Sequence, residues 1–147
     1  VGLVKKTILP KGTLKEEKVM KKNQKESAEI KYTNLEYLNS RTKSNPKLMM
    51  EMISIYLQQT PPLLETMRES ILDKDWHLLA AAAHKIIPSF AIMGINQEVE
   101  NMAKQIQEAA KTEQFDDEIA KIVIQLENIC SKACQELELE FNLIKNT

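Results

Sequence analysis

His84 is the side chain in this sequence best placed to do chemistry. It sits in the run Leu78-Leu-Ala-Ala-Ala-Ala-His-Lys-Ile-Ile-Pro-Ser-Phe-Ala-Ile-Met-Gly94, an imidazole among small and apolar residues. A neutral imidazole offers one nucleophilic nitrogen near pH 7, because its unperturbed pKa is about 6.5. At 100° per residue, Leu79, Ala82, Ile86, Ser89, Phe90 and Met93 fall opposite His84 and read as the core stripe of a helix. The stripe centred on His84 holds His77, Ala80, Ala81, Ile87, Pro88, Ala91 and Ile95. Charges normally occupy such an outer face, and here it is smooth and nearly uncharged, as expected of a surface that docks another macromolecule. The plainer reading of the same pattern is a surface histidine that happens to lie between alanines.

The other reactive residue types point elsewhere. His77 and His84 are two helical turns apart, about 10 Å along the axis, too far to share a metal, and no metal site is expected. Cys130 and Cys134 have core-stripe spacing, unlike paired zinc or redox motifs, and read as two buried thiols in a reducing, cytoplasmic compartment. The glycines, at positions 2, 12 and 94, cannot form a phosphate-binding loop. No serine stands in a nucleophile elbow, and no second catalytic group accompanies His84, so an independent enzyme is not expected. The methionines fall on apolar stripes as core fillers.

Helices must position these groups. Leu, Ile, Met, Ala, Glu, Lys and Gln dominate and period-2 strands are absent, so the fold class is all-α. A short helix is expected near Leu35–Leu38, ending around Ser40–Ser44. Asn45-Pro46 marks the next start, with asparagine as cap and proline in the first turn. Apolar residues then recur at three and four from Leu48 to Ile71, interrupted by Pro61-Pro62, where a kink is expected. Asp73–Asp75 forms a turn, with Asp75 capping the His84 helix, and Gly94 ends that helix. Another runs from Asn96 through Val99, Met102, Ala103, Ile106 and Ala110. The last begins at Asp116-Asp117-Glu118 and carries Ile119, Val123, Leu126, Cys130, Ala133, Leu137 and Phe141. Four substantial helices with short connections predict an up-down-up-down four-helix bundle with a short additional N-terminal helix.

The net charge of −1 conceals an asymmetry: residues 1–31 carry nine Lys against four Glu, and residues 32–147 are acidic. Residues 1–31 read as a basic linker or tether, with a frayed helix around Lys15–Lys25, and residues 32–147 as the bundle. The linker has no aromatic and no arginine, so nucleic-acid stacking and bidentate phosphate contacts are not expected. The apolar stretch 78–95 is broken by His84, Lys85 and Pro88, which argues against a membrane span, and Leu3-Val4-Lys5-Lys6 lacks the apolar core of a secretory leader. A start at Val1 rather than Met is expected of a piece of a longer protein.

The segment Ala83-His-Lys-Ile-Ile-Pro-Ser-Phe-Ala-Ile-Met-Gly94 resembles the core motif of histidine-containing phosphotransfer (HPt) domains of multistep two-component phosphorelays. Leu35-Glu-Tyr-Leu38, Asn45-Pro46, Tyr56-Leu57, Thr60-Pro61-Pro62-Leu-Leu64 and Asp75-Trp76 are arranged as in that family, and the resemblance spans about residues 32–112. It implies that His84 accepts a phosphoryl group from the aspartyl phosphate of a response-regulator receiver domain and passes it to another receiver aspartate. It further implies a domain that works free or as the cytoplasmic part of a membrane-bound hybrid sensor kinase; no nucleic-acid or membrane contact is expected of it, and a monomer is the default expectation because its one apolar patch must stay available. No cofactor is implied on this chain, with Mg²⁺ expected on the receiver. His77, Ala80, Ala81, Ile87, Pro88, Ala91 and Ile95 would be the receiver-docking surface. Two residues depart from the family pattern: Ile87 stands where a lysine usually reaches the phosphoryl oxygens, and Pro88 where glycine usually follows. Lys85 flanks the site. A hairpin folding at Gly94 would bring residues near 104 level with His84, so Lys104, Gln105 and Gln107 are candidates, with Lys104 or Gln105 replacing the missing lysine. The alternative function is an HPt-like interaction module that docks receivers without being phosphorylated.

Overall fold

Each long helix begins at an Asx residue whose side chain accepts a backbone N–H two or three residues on. Asn45 accepts from Leu48, Asp75 from Leu78, Asn96 from Glu98 and Asp116 from Ile119, all at 2.9–3.1 Å, and each cap satisfies one of the donors a helix start leaves free. The computed structural model describes residues 31–147. There the elements are α1 (Glu36–Thr42), α2 (Pro46–Leu72), α3 (Trp76–Ile92), α4 (Gln97–Lys111) and α5 (Asp117–Lys145). Among the described residues there is no strand, and the fold class is all-α. The expected linker, apart from Lys31, and its frayed helix at Lys15–Lys25 lie outside the described residues.

The turns are tight, and each holds a left-handed residue. These are Lys43 and Ser44 after α1, Lys74 after α2, Gly94 after α3 and Glu113 after α4. Only Gly94 is also sterically obliged to be glycine. A Cβ there would lie 2.0 Å from the Asn34 carbonyl oxygen, on a backbone at φ +66° that side chains with a Cβ disfavour. The Asn34 N–H donates to the Met93 carbonyl at 3.0 Å. Tyr32 and Thr33 are tied to α5, where the Glu136 carboxylate accepts both backbone N–H groups and the Thr33 hydroxyl. The segment before α1 therefore joins α5 to the α3–α4 turn.

Helix α2 packs on α3 and α5, and α4 packs on α3 and α5, with α1 against α2. Their shared core contains Ile53, Met67, Leu79, Ile86, Phe90, Ile106, Leu126 and Leu137, all fully buried. Each such side chain contributes roughly 1.5–3 kcal/mol through burial. Arg68 of α2 reaches Glu127 of α5 at 2.7 Å, and Trp76 stacks on Phe115 with ring centroids 5.0 Å apart, closing one end of the core. The prolines do not end their helices: α2 runs through Pro61 and Pro62, and α3 through Pro88. The packed faces on either side hold the helical path although each proline removes one N–H donor. Among the described residues, no helix is long and apolar enough to cross a membrane.

Candidate functional site at the α3–α4 seam

His84 lies at the middle of α3, exposed, while Leu79, Ala82, Ile86, Phe90 and Met93 on the opposite face are buried. Ser89, expected in the core stripe, is half-buried, and its hydroxyl donates to the Ile86 carbonyl at 2.7 Å. Pro88 lacks the N–H that would reach the His84 carbonyl, so the backbone at the imidazole carries one α-helical bond fewer than its neighbours.

The imidazole is fixed from α4. Its Nδ1 lies 3.2 Å from the side-chain amide nitrogen of Gln107, and Gln107 is half-buried. Among the described residues Nε2 has no hydrogen-bond partner. The two ring nitrogens therefore differ: one is held by protein and one faces solvent. Which of them carries the proton follows from which end of the Gln107 amide is presented. An amide N–H donating to Nδ1 leaves the proton on Nε2. A carbonyl oxygen accepting from Nδ1–H frees the Nε2 lone pair.

Of the three residues of α4 expected level with His84, Gln107 meets the imidazole, and Lys104 and Gln105 make no hydrogen bond to it. Lys104 is instead paired with Glu100 at 2.9 Å, and this bond, helped by Gln97, holds the Glu100 carboxyl below its ordinary range. Gln105 is exposed, as is Lys85. Counting ten residues either side of Gly94 misplaces the register because the connection Met93–Asn96 spans four residues. The contact of 84 with 107 centres the turn between Ile95 and Asn96, beyond the glycine.

The expected docking surface is also revised. His77, Pro88 and Ala91 are exposed, and Ala81 and Ile87 are half-buried. Ala80 and Ile95 belong to the core and are 9% and 7% exposed. Helix α3 packs against both α2 and α4, so its covered arc is wider than one face and takes in Ala80. Ile95 is beyond the helix: its N–H donates to the Phe90 carbonyl at 2.8 Å, a helix-closing bond that turns its side chain inward.

The remaining nucleophilic groups lie between α2 and α5. Cys130 is buried, and loss of solvation pushes its thiol up to about 12, with the nearby Cys134 adding to the effect. Cys134 is half-buried and is pushed up to about 11, again chiefly by burial. The Tyr56 phenol is raised well above its usual value by the same desolvation. Its hydroxyl is the one buried side-chain polar atom among the described residues with no hydrogen bond. Thiols in such surroundings are inert because the reactive thiolate is suppressed. No group of three or more His, Cys, Asp and Glu side chains among the described residues is placed to hold a metal ion.

A comparison of the chain with protein-family models, with curated proteins and with solved structures found no match.

Proposed function

We propose that the protein is a phosphorelay intermediate of the HPt type, with His84 as the phosphoacceptor. The observation that carries this reading is the asymmetry of the imidazole: Nδ1 is held by Gln107 and Nε2 is open to a partner. The reading includes an up-down-up-down four-helix bundle. The α2–α3, α3–α4, α4–α5 and α2–α5 packing supports it, as does the Arg68–Glu127 pair between the two outer helices.

In the proposed transfer the Gln107 amide turns over from the arrangement in which its nitrogen faces Nδ1, so that its carbonyl oxygen accepts from Nδ1–H and the freed Nε2 lone pair attacks the phosphorus of a receiver aspartyl phosphate. The N–P bond forms as the bond from phosphorus to the carboxylate oxygen breaks, and the receiver aspartate leaves as carboxylate. The ring keeps its Nδ1 proton and gains positive charge, which the same carbonyl oxygen stabilises. Reversal onto another receiver returns the imidazole to its starting state. Mg²⁺ belongs to the receiver in this scheme, and this chain contributes position and access. His77, Ala81, Ile87, Pro88 and Ala91 form the surface around the imidazole on which a receiver would seat.

A second reading is favoured by one residue. Ile87 is half-buried and packs against the core where the family places its lysine, which suits a module that docks receivers without being phosphorylated. Incubation with a phosphorylated receiver domain separates the two. The phosphorelay reading expects an acid-labile, alkali-stable adduct that is lost in His84→Gln, a fall of at least about 100-fold when the nucleophile itself is removed. A receiver that binds yet leaves no label supports the docking module.

A further inference from the structure

Helices α3 and α4 join through Met93–Asn96, and the His84–Gln107 contact fixes how they lie alongside each other. Each step back along α3 is matched by a step forward along α4. At the level of Ile87 therefore stands Lys104, and at the level of Ala80 stands Lys111, each about one helical turn, 5.4 Å, from the imidazole. The two lysines are not equivalent. Lys104 is bound to Glu100 at 2.9 Å, a turn further from His84. Lys111 is exposed and has no hydrogen bond or ion pair among the described residues. The residue at its level on α3, Ala80, ends at a methyl group and carries no charge to compete for an extended lysine. Lys85 is 100° around α3 from the imidazole and is directed away from this seam.

We propose that Lys111 contacts the phosphoryl group of phospho-His84 and supplies the positive charge that Ile87 cannot. This rests on the phosphohistidine reading of His84. A phosphoryl group carries close to two negative charges at neutral pH. An ammonium beside it forms a charge-assisted hydrogen bond both in the transferring state and in the phosphorylated product. Lys111 in the last turn of α4 is the cation free to move there without breaking an existing pair.

The test phosphorylates the whole chain with potassium phosphoramidate and, separately, with a phosphorylated receiver domain. Wild type, Lys111→Ala, Lys111→Arg and Lys104→Ala are compared for transfer rate, phosphohistidine half-life and the ³¹P titration of the phosphoryl group. Lys111→Ala is expected to slow transfer and shorten the half-life about three- to fivefold, the scale of an exposed ion pair, and to raise the pH at which the ³¹P signal titrates. Lys111→Arg restores these properties, and Lys104→Ala changes them by less than about twofold. A structural role alone would not move the ³¹P titration. Lys111→Ala matching wild type in both half-life and titration overturns the proposal, as does a larger effect from Lys104→Ala. A wild type that takes no phosphoryl group on His84 from either donor overturns the phosphohistidine reading, and Lys111's role with it.

Discussion

Along the α3–α4 seam, His84 stands exposed, with Nδ1 held by Gln107 and Nε2 open. Along the α2–α5 seam, Cys130 and Tyr56 are enclosed, with Cys134 partly covered, and burial pushes all three toward their neutral forms. By side-chain chemistry alone, a thiol is at least as good a nucleophile as an imidazole. The difference is one of solvation. Between α2 and α5 the low-dielectric interior penalises the thiolate and phenolate, whereas the imidazole can react in its neutral form at the surface. One seam encloses its reactive groups, and the other, equally part of the packing, leaves an imidazole at the surface.

The sharpest way to break this contrast is at His84. His84→Gln is expected to abolish phosphoryl acceptance while leaving the thermal midpoint nearly unchanged, because the side chain is exposed and its one hydrogen-bond partner among the described residues is Gln107. A substantial drop in the midpoint would mean that the imidazole holds the seam together. Next in size is Gln107→Leu, which removes the group that selects the ring tautomer. Losing one such hydrogen bond is expected to slow transfer roughly five- to tenfold, or about 1 kcal/mol, with the ring ¹⁵N shifts reporting a changed tautomer balance. A transfer rate equal to wild type would leave Gln107 as packing alone.

Smaller effects come from the buried seam and should appear in stability rather than transfer. Tyr56→Phe removes a buried hydroxyl that makes no well-formed hydrogen bond, with Thr60 and the Cys130 thiol beside it, and is expected to stabilise by about 0.5–1 kcal/mol. Destabilisation on urea denaturation would instead mean that the hydroxyl finds a partner in solution. Burial raises the Cys130 thiol from 9.0 to about 12, so its contribution to stability is complete below pH 9 and is lost as the pH rises toward 12. The urea midpoint should therefore fall over that alkaline window, and less steeply in Cys130→Ala. Identical pH profiles would show that the thiol is not buried in solution. Neither substitution should alter phosphoryl acceptance.

Much of this arrangement was legible in the order of residues because its causes are local. Asn45-Pro46, Asp75, Asn96 and Asp116 announce helix starts through side chains that reach only two or three residues. The three-and-four spacing of Leu79, Ala82, Ile86, Phe90 and Met93 places a buried face, and the same 100° step puts His84 on the outside. Gly94 is readable as a helix end. That it admits no other residue depends on the Asn34 carbonyl from sixty positions earlier. Tertiary structure decided whatever involves two helices at once. It chose Gln107 over Lys104 and Gln105, because moving the centre of the turn by one residue moves the matched neighbour by two, about 3 Å along α4 and 200° around it. It moved Ala80 and Ile95 into the core, because two packed neighbours cover more of α3 than a single face predicts. It also left Lys111 free and Lys104 paired, a distinction set by which side chains meet in space. Local sequence specifies where helices begin and which side of each is apolar, and only their packing fixes which side chain on one helix meets a given side chain on the next.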